Sequence, residues 1–342
     1  MRRQFAIALV FALTATAIGA AQSGSGKYQV IKTIPVGGDE GWDYVTVDSA
    51  ARRVYVSHGS HVVVLDADDY TVVGDIPDTQ GVHGIAIASE FGRGFVSDGR
   101  ANNVTIFDLT SLKTIGTVAT GTNPDGILFD PATKRVFTMN GRSQDTTAIN
   151  AADGTVVGTL ALGGKPETAV ADGKGTIYVN IEDKSELVHF DSKSLKVLDR
   201  WPMAPCEGPS GLAADWNSRR LFAGCDNKKM AVMNADTGAV ITTLPIGDGV
   251  DANAFDPETM LAFSSNGEGN LTVVHEDSPD KFTIAETVPT AKGARTMALD
   301  PDTHKVYVVT AKFGPAPAPT ADAPHPRPSI LPNSFEVIEL GQ

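Results

Sequence analysis

The chain has 342 residues, a formal net charge of −13 at pH 7 and only two cysteines. So acidic a surface repels phosphate backbones and anionic lipid, which argues against nucleic acid as a partner and favours cationic ones. The length would suit two domains, but the internal repetition described below points to one closed domain.

In chain order, Arg2 and Arg3 open a short apolar stretch, Phe5 to Ile18, followed by Gly19, Ala20 and Ala21. This pattern predicts a signal peptide over residues 1–21, with an uncleaved anchor as the rival reading. Loss of Arg2 and Arg3 makes the charge −15. Residues 22–27 read as a flexible leader and 28–342 as a single domain. No second long apolar run follows. The mature chain is therefore expected to have no membrane span and to be periplasmic or secreted.

From Asp43 onward one phrase recurs seven times: a leading residue, a short apolar strand, a turn and a second apolar strand. The leading residues are Asp43, His83, Asp125, Glu167, Ser210, Asp251 and Arg295, at steps of 40, 42, 42, 43, 41 and 44. A period near 42 with several strands per unit is the mark of a propeller blade. The expected fold is all-β, a seven-bladed β-propeller of four-stranded antiparallel blades. Second strands such as Arg53-Val54-Tyr55-Val56-Ser57-His58 and Arg135-Val136-Phe137-Thr138-Met139-Asn140 carry an aromatic third, placed to pack between blades. Third strands such as Val104-Thr105-Ile106-Phe107 and fourth strands such as Thr114-Ile115-Gly116-Thr117-Val118 follow. Asp130-Pro131, Asp256-Pro257 and Asp300-Pro301 are turn devices between first and second strands.

The ends complete the ring. Tyr28 to Val36 resembles a fourth strand and Ser334 to Leu340 a third, so the last blade should close with the N-terminal strand. A Pro-rich insertion at about 311–333 sits between its second and third strands, a lid or a tolerated loop.

In this geometry the seven leading residues converge at one mouth of the central channel. Three readings stay open: a water-filled channel, a small-ligand or partner site, or a metal-dependent catalytic site. His58, His83, Glu167 and Asp251 are the candidates for a metal, with Asp43, Asp98 and Asp125 near the two histidines. Cys206 and Cys225 fall side by side at the fifth blade, predicting a structural disulfide, with two free thiols as the alternative. No nucleophile elbow, phosphate loop or zinc-type histidine pair is present. Trp42 and Trp216 read as packing residues.

The phrases Val54-Tyr55-Val56-Ser57, Ile177-Tyr178-Val179-Asn180 and Val306-Tyr307-Val308-Val309, with Asn123-Pro124-Asp125-Gly126 and Gly208-Pro209-Ser210-Gly211, resemble the bacterial YVTN-repeat (YncE-like) propellers. The resemblance covers the mature chain and implies an exported seven-bladed propeller. The expected function is a binding or scaffold protein, a monomer, with an unknown protein or small-molecule partner at the channel mouth. No cofactor is expected beyond a possible divalent cation. The alternative is a divalent-metal-dependent lactonase-type hydrolase, similar in architecture to gluconolactonase-like propellers, with Glu167, Asp251, Asn140 and Asn266 around the ion.

Overall fold

The structure is a computed structural model that describes residues 27–318, 326 and 328–342. The predicted signal peptide and most of the leader lie outside the described residues, as does His325. Among the described residues no helix is long and apolar enough to cross a membrane.

The strands form seven antiparallel sheets of four. The first blade runs Val45–Asp48, Arg53–His58, His61–Asp66 and Val72–Ile76, each strand paired with the next. Five further blades repeat this order. The seventh joins both chain ends: Gln29–Pro35 lies outermost, then Glu336–Gly341, Lys305–Thr310 and Met297–Asp300. The ring is thus fastened by one N-terminal and three C-terminal strands, as the sequence predicts. Closure leaves no bare inner edge.

The second-strand aromatics Tyr55, Phe95, Phe137, Phe222, Phe263 and Tyr307 are fully buried and Tyr178 nearly so. Each reaches into an apolar cluster shared with the following blade. Tyr55 meets Phe107 at 5.9 Å between ring centroids, Phe137 meets Phe190 at 5.7 Å, and Phe263 meets Tyr28 of the closing strand at 5.1 Å. Seven such clusters fill the seven junctions. Because strands covered on both faces need apolar residues on both, the simple alternation of a half-exposed strand is lost.

The arginine that opens several second strands adds a polar clasp. Arg135 Nη1 donates to the Ser192 carbonyl at 2.7 Å and Arg220 Nε to the Pro279 carbonyl at 2.6 Å, while Arg53 donates to the Leu109 carbonyl. Each bond runs to the third-to-fourth turn of the next blade. Cys206 and Cys225 form a disulfide with Cα atoms 5.6 Å apart. In the insertion, Phe313 pairs with Ile330 and its ring lies 5.9 Å from that of Trp42, which also packs on Phe335. The described ends of the loop are therefore tied together beside the first blade.

Candidate functional site

The seven leading residues stand at the upper end of the first strands. In blades two to six the strand register slips at that point: between Val82 and Ile85, Pro124 and Ile127, Pro166 and Ala169, Pro209 and Leu212, and Val250 and Ala252. A bulge bends the strand and re-aims a side chain. Asp43 and Arg295 instead precede their shorter strands by two residues. Neighbouring blades hold these backbones in place. Ser97 Oγ donates to the Asp125 carbonyl at 2.6 Å, Asn180 Nδ2 to the Ser210 carbonyl at 3.0 Å, and Ser265 Oγ to the Arg295 carbonyl at 2.5 Å. Thr296 Oγ1 closes the seam on the Asp43 carbonyl at 2.6 Å. The strands come so close that a Cβ on Gly126 would stand 2.7 Å from the Glu167 carbonyl oxygen.

Six of the seven side chains form one chain of contacts around the mouth. Ser210 Oγ donates to Asp251 Oδ1 at 2.6 Å, and Arg295 Nε bonds Asp251 Oδ2 at 2.5 Å. Arg295 Nη2 reaches Asp43 Oδ1 at 3.3 Å. His83 Nδ1 lies 2.5 Å from Asp43 Oδ2 and 3.5 Å from Asp125 Oδ1. Glu167 stands apart, with Lys165 Nζ 2.5 Å from its Oε1, and the same ammonium binds Glu182.

Tyr44, which sequence reasoning did not single out, links the two sides of the mouth. Its hydroxyl lies 3.4 Å from Thr168 Oγ1, joining the first blade to the fourth across the channel. Burial, then the charges of Asp125, Glu167, Asp43 and Asp251, push its hydroxyl well above the ordinary phenol range, so it keeps its proton. Its position was visible in the repeat. The residue after the leading one is Gly84, Gly126, Thr168, Gly211, Ala252 or Thr296 in the other copies, and a tyrosine there is the outlier.

Electrostatics follow from crowding. Burial disfavours the His83 imidazolium, but the hydrogen bond to Asp43 and the charges of Asp125 and Asp43 outweigh it, raising His83 to about 9. Burial raises the Asp125 and Glu167 carboxyls, and each is raised further by a neighbouring carboxylate, Asp43 and Asp125 respectively. Asp251 also shifts upward through burial, against the pull of Arg295.

Of the residues considered for a metal, only His83 has two carboxylates within 3.5 Å, Asp43 and Asp125; Glu167 is paired with Lys165, and Asp251 with Ser210 and Arg295. One ligand atom from each of Asp43, His83 and Asp125 lies within 4.8 Å of the others. His58 does not join this group. Its ring stacks on Phe335 at 4.5 Å, and its Nδ1 lies 2.9 Å from His61 Nε2, whose own Nδ1 is 2.7 Å from Asp75. That relay was not legible from spacing, since Asp75 belongs to the outer strand. Asn140 and Asn266 are fully buried, and their amides bond within their own blades, to Asp145 and Thr147 and to Asn270 and Thr272. They are therefore not offered to an ion in the channel. The lower end of the channel is different in character, a cavity of about 440 Å³ lined by Leu128, Phe129, Val170, Ala214 and Trp216 among others.

No family model and no curated protein matches the chain. Solved structures do. A propeller in the mitotic checkpoint complex is similar over 98% of this chain and 99% of its own, with a TM-score of 0.75 at 16% identity. U3-55K matches 92% of this chain and 98% of its own, TM-score 0.72, at 10% identity. Hydrazine synthase from Kuenenia stuttgartiensis matches 79% of this chain and 92% of its own, TM-score 0.71, at 14% identity. At these identities the likeness establishes the seven-bladed propeller fold and nothing of the chemistry.

Proposed function

We propose that this chain is an exported propeller of the YVTN-repeat type that acts as a binding or scaffold module, engaging a ligand or partner with cationic groups at the polar mouth. The observation that carries the reading is the state of the four mouth carboxylates. Asp43, Asp125, Glu167 and Asp251 contact other side chains and accept no backbone N–H among the described residues. Carboxylates placed together and held by side chains alone, without backbone donors, are poised for an external cation. A net charge of −13 steers such partners to the surface. The disulfide supports an oxidising compartment. The propeller from the checkpoint complex, a protein assembly, supports the scaffold role. The lactonase-type alternative has weaker footing, because Asn140 and Asn266 are engaged inside their blades.

The test is calorimetric titration with spermidine and a short lysine-rich peptide at low ionic strength. A double variant, Glu167→Gln with Asp251→Asn, is expected to lose at least about tenfold in affinity, the scale of one strong charged contact. Asp68→Asn with Asp236→Asn, on carboxylates exposed elsewhere, is expected to bind like the native chain. Equal binding by all three proteins overturns the reading.

A further inference from the structure

We propose that Asp43, His83 and Asp125 together bind one first-row divalent transition-metal ion, zinc being the reference cation, at the side of the mouth formed by blades one to three. The proposal rests on the mouth being a ligand site and names the cation that this part of it takes.

The three residues lead three consecutive blades, so the propeller geometry rather than sequence proximity brings them together. Ligands about 2.1 Å from a tetrahedral ion stand about 3.4 Å apart. His83 Nδ1 and Asp125 Oδ1 are already 3.5 Å apart. Asp43 Oδ2 and His83 Nδ1, at 2.5 Å, are in hydrogen-bond contact and need to part by about 1 Å to admit the ion. Two carboxylate oxygens and one imidazole nitrogen suit zinc, cobalt, nickel or manganese, whereas calcium prefers oxygen alone.

Charge balance points the same way. Asp43 has Arg295 as a second partner, but the Asp125 carboxylate accepts no hydrogen bond among the described residues and has His83 as its near cation at 3.5 Å, with its side chain only 14% exposed. Asp98 adds a further carboxylate. It is 1% exposed, its Oδ1 has no partner among the described residues, and its strand pairs it with Val82, the residue before His83. One imidazolium balances one charge, and buried carboxylates beyond that number carry a desolvation cost that a divalent ion offsets.

The backbone beneath the cluster is fixed by bonds that owe nothing to a metal. Ser97 holds the Asp125 carbonyl, Thr296 holds the Asp43 carbonyl, and the Asp43 N–H donates to Ser57 Oγ at 2.8 Å. Supports of this kind preorganise ligands. Three protein ligands leave a position open towards the channel, the arrangement of an exchangeable rather than a closed structural site.

The experiment is calorimetric titration of the purified, EDTA-treated chain with zinc chloride, and separately with calcium chloride. Expected are one zinc ion per chain and much weaker calcium binding. Asp125→Asn and His83→Gln should each lower zinc affinity by at least about tenfold. Circular dichroism of both variants without zinc checks that they fold, and Asp125→Asn, which keeps the side-chain volume, decides the matter if His83→Gln does not. Absence of stoichiometric zinc, or unchanged zinc binding by Asp125→Asn, overturns the proposal. Spermidine titration of the zinc-free chain reads the mouth independently. Spermidine binding without zinc binding sinks the metal alone, and zinc binding without spermidine binding sinks the cationic-partner reading alone.

Discussion

At the lower face of the ring, Asp48, Asp130, Asp215, Asp256 and Asp300 each accept a backbone N–H from the turn that follows, at 2.9 to 3.2 Å. At the upper mouth, Asp43, Asp125, Glu167 and Asp251 meet only side chains. Both rows belong to the first strands, one at each end, and blades one, three and six carry a member of each. The lower carboxylates are tied into the fold: Asp256 also receives His304 Nδ1 at 2.7 Å and Asp300 receives Arg52 Nη1 at 2.6 Å, both from the next blade. The upper ones are positioned by the fold but not used by it. Residue type alone therefore says little about a carboxylate's role, and the donors around it say a great deal.

Both rows exist only in a closed ring, so the severest test of the contrast is to open the seam. Deleting residues 333–342 removes the strand Glu336–Gly341 from between its two partners. It also removes Phe335, Val337, Ile338 and Leu340, all at most 4% exposed. At about 1.5–3 kcal/mol each, their burial amounts to about 6–12 kcal/mol, comparable to the whole stability of a typical domain, about 5–15 kcal/mol. The truncated chain should be unfolded by circular dichroism at 25 °C. Cooperative melting like that of the full chain would show that the ring does not depend on its seam.

The contrast itself is sharpened by one substitution at each end of the same strand, Val250–Asp256. Asp256→Ala leaves the turn N–H and His304 without their acceptor in a fully buried site, which should cost about 1–3 kcal/mol or more. Asp251→Ala removes the acceptor of Ser210 Oγ and a partner of Arg295, whose side chain is 38% exposed and keeps Asp43, so its cost should be the smaller, about 1 kcal/mol. Urea melts of the two variants measure the difference. Equal losses would place the upper carboxylates among the structural ones.

The repeat made the ring, the seam and the seven leading residues legible, because each copy aligns its second-strand aromatic with the others and three copies share a turn Asp-Pro. The site was legible only as a set of positions. Which neighbours meet depends on the bulges at Asp125-Gly126 and its equivalents, and a bulge leaves no period in the sequence. Tyr44 was detectable as a misfit among small residues, yet its reach to Thr168 depends on the width of the channel. Asn140 and Asn266 illustrate the opposite failure. They end second strands near the channel, but their amides turn into the blade, where Thr147 and Thr272 on the adjacent strand supply partners. The clasp from Arg135 to Ser192 was visible only as a recurring arginine, since its acceptor is a backbone carbonyl.

Glu276 fits neither row and gives the smallest of the expected effects. It lies near the end of the third strand of the sixth blade, Asn270–Ser278, is 2% exposed, and neither carboxylate oxygen has a well-formed hydrogen bond among the described residues. Burial raises its carboxyl above the ordinary range, against the neighbouring Ser218 hydroxyl, with Asp215 adding to the shift and Arg220 and His275 opposing it. A raised folded-state value means that, as pH climbs through the ordinary glutamate range, the unfolded chain ionises first while the folded chain holds its proton. Stability contributed by Glu276 is therefore full below that range and falls with rising pH until the folded group ionises as well. Glu276→Gln keeps the volume and removes the titration. Relative to the native chain it should melt at a higher temperature at pH 8, and the gap should shrink towards pH 4. A gap that stays constant across that interval would mean that the side chain finds a donor on folding and belongs with the lower, structural row.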